Sequence, residues 1–204
     1  GNTNPVAILE DGGRSETASD EFSLLEVLRL DILKGWNISA TYNLTATNGL
    51  KNILKKTISF VNPQDNSRYD YASPNSLKNI DVRNLQQTFI LQSNFDFSFG
   101  RHNVSGVVGM SQEWYEGRSF DASRSNLTTE FNPTLNLGDA TTMSNDASYS
   151  SWALRSGFGR ISYNYDERYL VEANVRYDLS SRFHKDNRGG VFPSVSGAWR
   201  LSEE

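Results

Sequence analysis

Few residues in this sequence have the types and spacing that chemistry needs. There is no cysteine, which excludes disulfides, thiolate metal sites and a cysteine nucleophile. The two histidines, His102 and His184, stand far apart beside turn-forming residues and read as surface side chains rather than a metal or catalytic pair. Asp166 and Glu167 are adjacent carboxylates, but glycoside cleavage needs two carboxylates facing each other across about 5–9.5 Å. Neighbours in a turn are solvated instead. The stretches "GFGR" and "RGG" lack the strand–loop–helix setting in which backbone amides cradle phosphate. The residues therefore imply no cofactor, no metal and no enzyme activity. One cluster remains: Trp114, Tyr115 and Phe120 could stack on the apolar C–H face of a sugar ring. Continuation of a strand is the plainer account of the same three residues, and on sequence alone the stronger one.

Strands must position them. In "YLVEANVRYDLS", Tyr169, Val171, Ala173, Val175, Tyr177 and Leu179 alternate with Leu170, Glu172, Asn174, Arg176, Asp178 and Ser180. A period of two marks an extended strand with one apolar and one polar face. The pattern recurs over Phe22–Ile32, Trp36–Leu44, Thr88–Phe99, Val104–Trp114, Trp152–Tyr165 and Ser194–Leu201, and "KKTISFV" extends a strand or adds a short one. Tight turns (33–35, 100–102, 166–168) alternate with long polar stretches (48–84, 117–150) and one medium loop (184–190). Helix signals are nearly absent. The fold class is therefore all-β, an antiparallel up-and-down meander of about eight long strands. The long polar stretches read as irregular, poor in buried apolar surface, mobile, and gathered away from the tight turns.

Composition narrows the solvent. The chain has 204 residues, a formal net charge of −4, 37% hydrophobic and 12% aromatic residues. A net negative charge argues against nucleic-acid binding, which needs a basic footprint. No apolar run reaches the length of a membrane helix, but a membrane β-barrel shows only half-apolar strands. A soluble sandwich turns the apolar face inward and a membrane barrel turns it to lipid. Tyr163, Tyr165, Tyr169, Trp36, Phe97, Phe99 and Trp199 crowd the tight-turn ends, as an interfacial aromatic belt would. Both orientations stay open on these grounds.

The segments "FGRISYNYDERYL", "RYDLSSRF" and "NRGGVFPSVSGAWRLSEE", with "NPVAILEDGGRS", "ILKG" and "FGRHNVSGVVGMSQEWYEGRSFDASR", resemble the SusC-like family of TonB-dependent outer-membrane transporters of Bacteroidetes. The resemblance covers most of the chain and is weakest at 48–84 and 125–148. One departure lies at Gly190 or its neighbour, where the family carries a bulky residue. The resemblance implies part of a transmembrane barrel of about 22 strands, importing glycans, peptides or other large nutrients, with a SusD-like surface lipoprotein and the TonB complex as partners. It implies that Ile161, Tyr163, Tyr165, Tyr169, Val171, Val175, Tyr177 and Trp199 face outer-membrane lipid, and that Arg160, Glu172, Asn174, Arg176, Asp178 and Arg200 face the lumen. The four N-x-S/T sequons, at Asn37, Asn43, Asn103 and Asn126, are then chance occurrences. Residues 1–204 read as one partial barrel region with no plug and no TonB-contacting segment. The chain opens "GNTNPVAI" without an initiator Met and closes on "WRLSEE" after a strand, so both ends read as truncated. Two further expectations follow for the piece alone in water. Its open sheet invites self-association, and Ile161, Val171, Val175, Phe95 and Phe97 become its core while Glu172, Arg176 and Arg160 stay wet. A soluble carbohydrate-binding β-module is the alternative function.

Overall fold

The computed structural model describes residues 5–201; the readings made at Gly1 and at Ser202–Glu204 lie outside them. Helix α1 (Pro5–Asp11) precedes nine strands: β1 (Gly13–Leu33), β2 (Trp36–Lys55), β3 (Ile58–Val61), β4 (Arg68–Ala72), β5 (Ser76–Phe99), β6 (His102–Ser125), β7 (Ser144–Tyr165), β8 (Tyr169–Ser180) and β9 (Gly189–Trp199). Seven of them form one sheet in the order β1-β2-β5-β6-β7-β8-β9, while β3 and β4 pair separately. This is the expected meander. Single 3₁₀ turns at Leu135–Leu137, Ala140–Thr142 and Lys185–Asn187 complete the elements.

Of the two long stretches expected to be irregular, 48–84 is largely strand, and 117–150 is strand at both ends with irregular chain only over 126–143. β2 runs on to Lys55, β5 starts at Ser76, β6 reaches Ser125 and β7 begins at Ser144. Segments such as "SNDASYSS" are polar on both faces, so they carry no period-two contrast to read. Backbone pairing with neighbours holds them extended regardless. Helix α1 also escaped the reading. Pro5 suits its first turn because the missing N–H has no helical partner there. Gly12 N–H closes it on Ile8 O (3.0 Å), and Gly13, at φ +108° with Leu54 O where a Cβ would stand, starts the departing strand.

The chain divides into two compact units. One comprises residues 5–21, 47–84 and 117–149, so the two long stretches do gather together; the three tight turns belong to the other unit. Among the described residues, every buried apolar side chain (Leu54, Ile58, Leu77 and Leu127) lies in this first unit. Leu54, Leu77 and Leu127 pack together, with Leu135 against them. The expectation that these stretches bury little apolar surface is thus corrected. Asn75 ties the cluster down. Its Oδ1 accepts from Leu127 N–H (2.7 Å), and its Nδ2 donates to Leu127 O (3.2 Å) and Glu130 Oε1 (3.1 Å). Glu130 Oε1 also accepts from Thr57 N–H (3.0 Å). The β3–β4 turn closes on itself: Asn62 N–H donates to Ser67 O, Gln64 N–H to Asn62 Oδ1, and Ser67 N–H to Asp65 Oδ1.

The second unit comprises residues 22–46, 85–116 and 150–201. Its apolar set is not buried, against the expectation for the piece alone. Val171, Val175 and Ile161 are 51%, 50% and 49% exposed, and Phe95 and Phe97, stacked at 6.4 Å, are half-buried. Covering that face needs a second apolar layer, and every long strand is already committed to the one sheet.

Leu77→Ala should lower the stability of the first unit by about 2–5 kcal/mol through the cavity it leaves. The expected result in the full-length protein is faster amide hydrogen exchange at Leu54, Leu127 and Leu137, with β8 amides unchanged.

Candidate functional site

The register of the last three strands builds the site. β7 and β8 pair antiparallel through Tyr165↔Tyr169, Tyr163↔Val171, Ile161↔Ala173, Gly159↔Val175 and Gly157↔Tyr177. β9 continues the rows through Trp199, Gly197, Val195, Pro193 and Val191. Directly opposed residues share a face. Ile161, Tyr163, Tyr165, Tyr169, Val171, Val175, Tyr177 and Trp199 therefore stand together on one face. Tyr165, Tyr169 and Trp199 form a stacked row at the tight-turn end, with ring centroids 6.5 and 6.3 Å apart. His102 joins it, its Nδ1 lying 2.7 Å from the Tyr163 hydroxyl and its ring 5.0 Å from that of Tyr165. Phe95 and Val108 extend the same face, lining a shallow apolar hollow with Ile161, Ala173 and Val175.

The opposite face carries a hydrogen-bonded polar ladder. Ser162 Oγ donates to Glu172 Oε2 (2.7 Å), and Asn174 Nδ2 donates to Glu172 Oε1 (3.0 Å). Arg176 donates through Nε to Asp178 Oδ1 (2.7 Å) and through Nη2 to Ser156 Oγ (3.0 Å). Ser156 is 1% exposed, the one fully buried polar side chain among the described residues. Arg160 lies opposite Asn174 on this face. Asp96, Asn103, Ser105, Ser162, Glu172 and Ser196 line a groove here. Asn164 Oδ1 is buried in it without a hydrogen-bond partner, an acceptor suited to water or to a polar guest. Arg200 sits past the end of β9 and pairs with Glu167 of the turn at 3.5 Å, while Asp166 lies 3.7 Å from both Arg101 and Arg168. The adjacent carboxylates are thus matched to arginines at the turn. His184 pairs with Asp186 at 3.3 Å.

The three aromatics singled out for stacking do not form one platform. Trp114 and Tyr115 are neighbours on β6 and project to opposite faces, and Phe120 belongs to the other unit, where it lines a groove with Arg83, Arg118 and Tyr149. Tyr115 instead stacks on Trp152, with centroids 5.6 Å apart and planes 17° apart, and Arg182 lies 4.7 Å from the Trp152 centroid. Trp152 and Arg182 were missed by the sequence reading. They are far from Tyr115 in the chain: the sheet sets β7 and its Trp152 beside β6, and the β7–β8 pairing brings Arg182, just past β8, to Trp152.

An up-and-down antiparallel sheet with one apolar, aromatic-edged face and one hydrogen-bonded polar face is a piece of a β-barrel wall. The family described as TonB dependent receptor-like, beta-barrel, matches residues 4–204, and the chain belongs to it. That family is one of outer-membrane barrels, which locates the chain in the outer membrane. TonB-dependent receptor P39 of Formosa agariphila is 30% identical over 154 residues, covering 70% of this chain and 14% of that receptor. TonB-dependent receptor SusC of Bacteroides thetaiotaomicron is 51% identical over 51 residues, 25% of this chain and 5% of that protein. A solved structure of the RagAB peptide transporter shares the fold at a TM-score of 0.81 and 20% identity, over 94% of this chain and 21% of that one. The chain thus spans a small part of the proteins it resembles.

In a double-mutant cycle on the full-length protein, Trp152→Ala and Arg182→Ala should show a coupling of about 0.5–1 kcal/mol, the size of an exposed cation–π contact. Strict additivity in urea unfolding would mean that the contact contributes nothing.

Proposed function

We propose that this chain is part of the barrel wall of a SusC-like transporter that imports oligosaccharides, peptides or other nutrients too large for porins. A SusD-like lipoprotein covers it at the surface, and the TonB complex energises it. The observation that carries this reading is the pair of faces joined by one register. An exposed stripe of Ile161, Val171 and Val175 ends in the Tyr165–Tyr169–Trp199 row, and the other side is a ladder of serine, asparagine, arginine and carboxylate. A stripe edged by interfacial aromatics suits lipid. The ladder suits a wet lumen, where Arg160, Glu172, Asn174, Arg176 and Asp178 meet the passing solute. Of the three candidate stacking aromatics, Tyr115 is the one on the lumenal side. The names of the relatives point the same way: one is a SusC, and the structural neighbour is titled a peptide transporter. Glycan and peptide both remain substrate classes for this barrel.

Two experiments test the proposal. In the full-length receptor reconstituted in lipid, Val175→Arg should cost about 2–4 kcal/mol if it stands near the bilayer midplane, and Asn174→Arg much less. Equal costs in urea titrations would sink the orientation. Cells with the full-length receptor should take up fluorescent oligosaccharides or peptides only when TonB is energised; TonB-independent uptake, or none of either class, would refute the transport role.

A further inference from the structure

Beyond the Tyr177–Val191 row, the exposed apolar face changes character. The next row is Arg155, Leu179 and Gly189. Arg155 stands ten residues from Tyr165 along β7, and at about 3.3 Å per residue and a tilt near 40° that is roughly 25 Å of height, the extent of a barrel's apolar band. Arg155 therefore marks the end of the band away from the tight turn at 166–168. Barrels of this kind keep short turns on the periplasmic side, so this end meets the outer leaflet.

A groove opens there, lined by Gln112, Ala153, Arg155, Leu179, Ser181 and Arg188, with Ser180 beside them. Its lining contains no carboxylate. Arg155 uses Nε to donate to Gln112 Oε1 (2.7 Å), and Arg188 uses Nε to donate to Phe183 O (3.2 Å). Neither is in an ion pair among the described residues, so the outer nitrogens of both guanidinium groups are left to donate. Ser181 Oγ accepts from Ala153 N–H (2.8 Å), which leaves its hydroxyl hydrogen for another acceptor. Two cations and one hydroxyl donor above a floor of Leu179 and Ala153 select an anion that carries an apolar body. Guanidinium forks match phosphate oxygens, and the long stems lie along apolar surface.

We propose that this groove binds a phosphate of an outer-leaflet glycolipid headgroup, with Arg155 and Arg188 as its two cationic contacts. The proposal rests on the outward orientation of this face given above.

The test uses purified full-length receptor titrated with phosphatidylethanolamine vesicles containing bisphosphorylated lipid A. The wild type should bind lipid A, and R155Q/R188Q should bind it about tenfold or more weakly, since charge-assisted contacts to phosphate are the strong ones. Dephosphorylated lipid A should bind the wild type as weakly, and millimolar inorganic phosphate should fail to displace the lipid. Unchanged binding by the double variant, or equal binding of the dephosphorylated lipid, would overturn the assignment. Displacement by inorganic phosphate would overturn the lipid source in favour of a soluble anion. Should the variant misfold, the dephosphorylated arm still decides with wild-type protein. A nitroxide on V175C, in a cysteine-free background, separates the two proposals: an aqueous signal defeats the orientation, whereas a lipid signal without phosphate dependence defeats only the headgroup site.

Discussion

The ladder joining β7, β8 and β9 sets Tyr165, Tyr169 and Trp199 in one row, and every assignment of face on this part of the sheet is counted from that row. A slip of one residue would exchange the two sides completely, since side chains alternate residue by residue along each strand. Val175 would then stand among the carboxylates and Glu172 among the tyrosines. The polar hydrogen bonds resist such a slip as firmly as the aromatic stacking does. Ser162, Glu172 and Asn174 meet in only one register, and so do Ser156, Arg176 and Asp178. Orientation is thus held from both sides of a single layer, without a buried apolar core beneath it.

Much of this second unit was legible in the residues themselves. Alternation in β8 is nearly perfect, the turns at 33–35, 100–102 and 166–168 carry glycine or charged punctuation, and aromatics crowd one end. Gly35 and Gly100 mark turns where φ is positive, as the local signals anticipated. What could not be read was any feature that depends on pairing between distant strands. Tyr115 looked like a partner of Trp114 because the two are adjacent, yet alternation sends them apart and pairing gives Tyr115 to Trp152. Arg200 looked like another polar strand residue, but β9 ends one residue before it.

The first unit was misread for a different reason. Its strands are polar on both sides, so the contrast that reveals a strand is missing, and its apolar cluster draws single leucines from three separate segments. Leu77 and Leu127 are each isolated in sequence among polar residues, and Leu54 has only Ile53 beside it before the lysines. The burial of such scattered residues follows from Asn75 and Glu130, whose amide and carboxylate gather the backbone of Thr57 and Leu127. No local pattern announces a clasp of that kind.

The self-contained turn between β3 and β4 has a practical meaning for protein engineering. Its hydrogen bonds run among Asn62, Gln64, Asp65 and Ser67 themselves, and none of these residues reaches the leucine cluster. A peptide tag or a small binding domain spliced between Pro63 and Asn66 would leave that cluster and its clasp intact. The same insertion between Leu127 and Glu130 would part Leu127 from Leu135 and Asn75 from the Glu130 carboxylate. Two polar loops of similar look on paper thus differ sharply as grafting points, and the hairpin is the one to carry a label or an affinity handle.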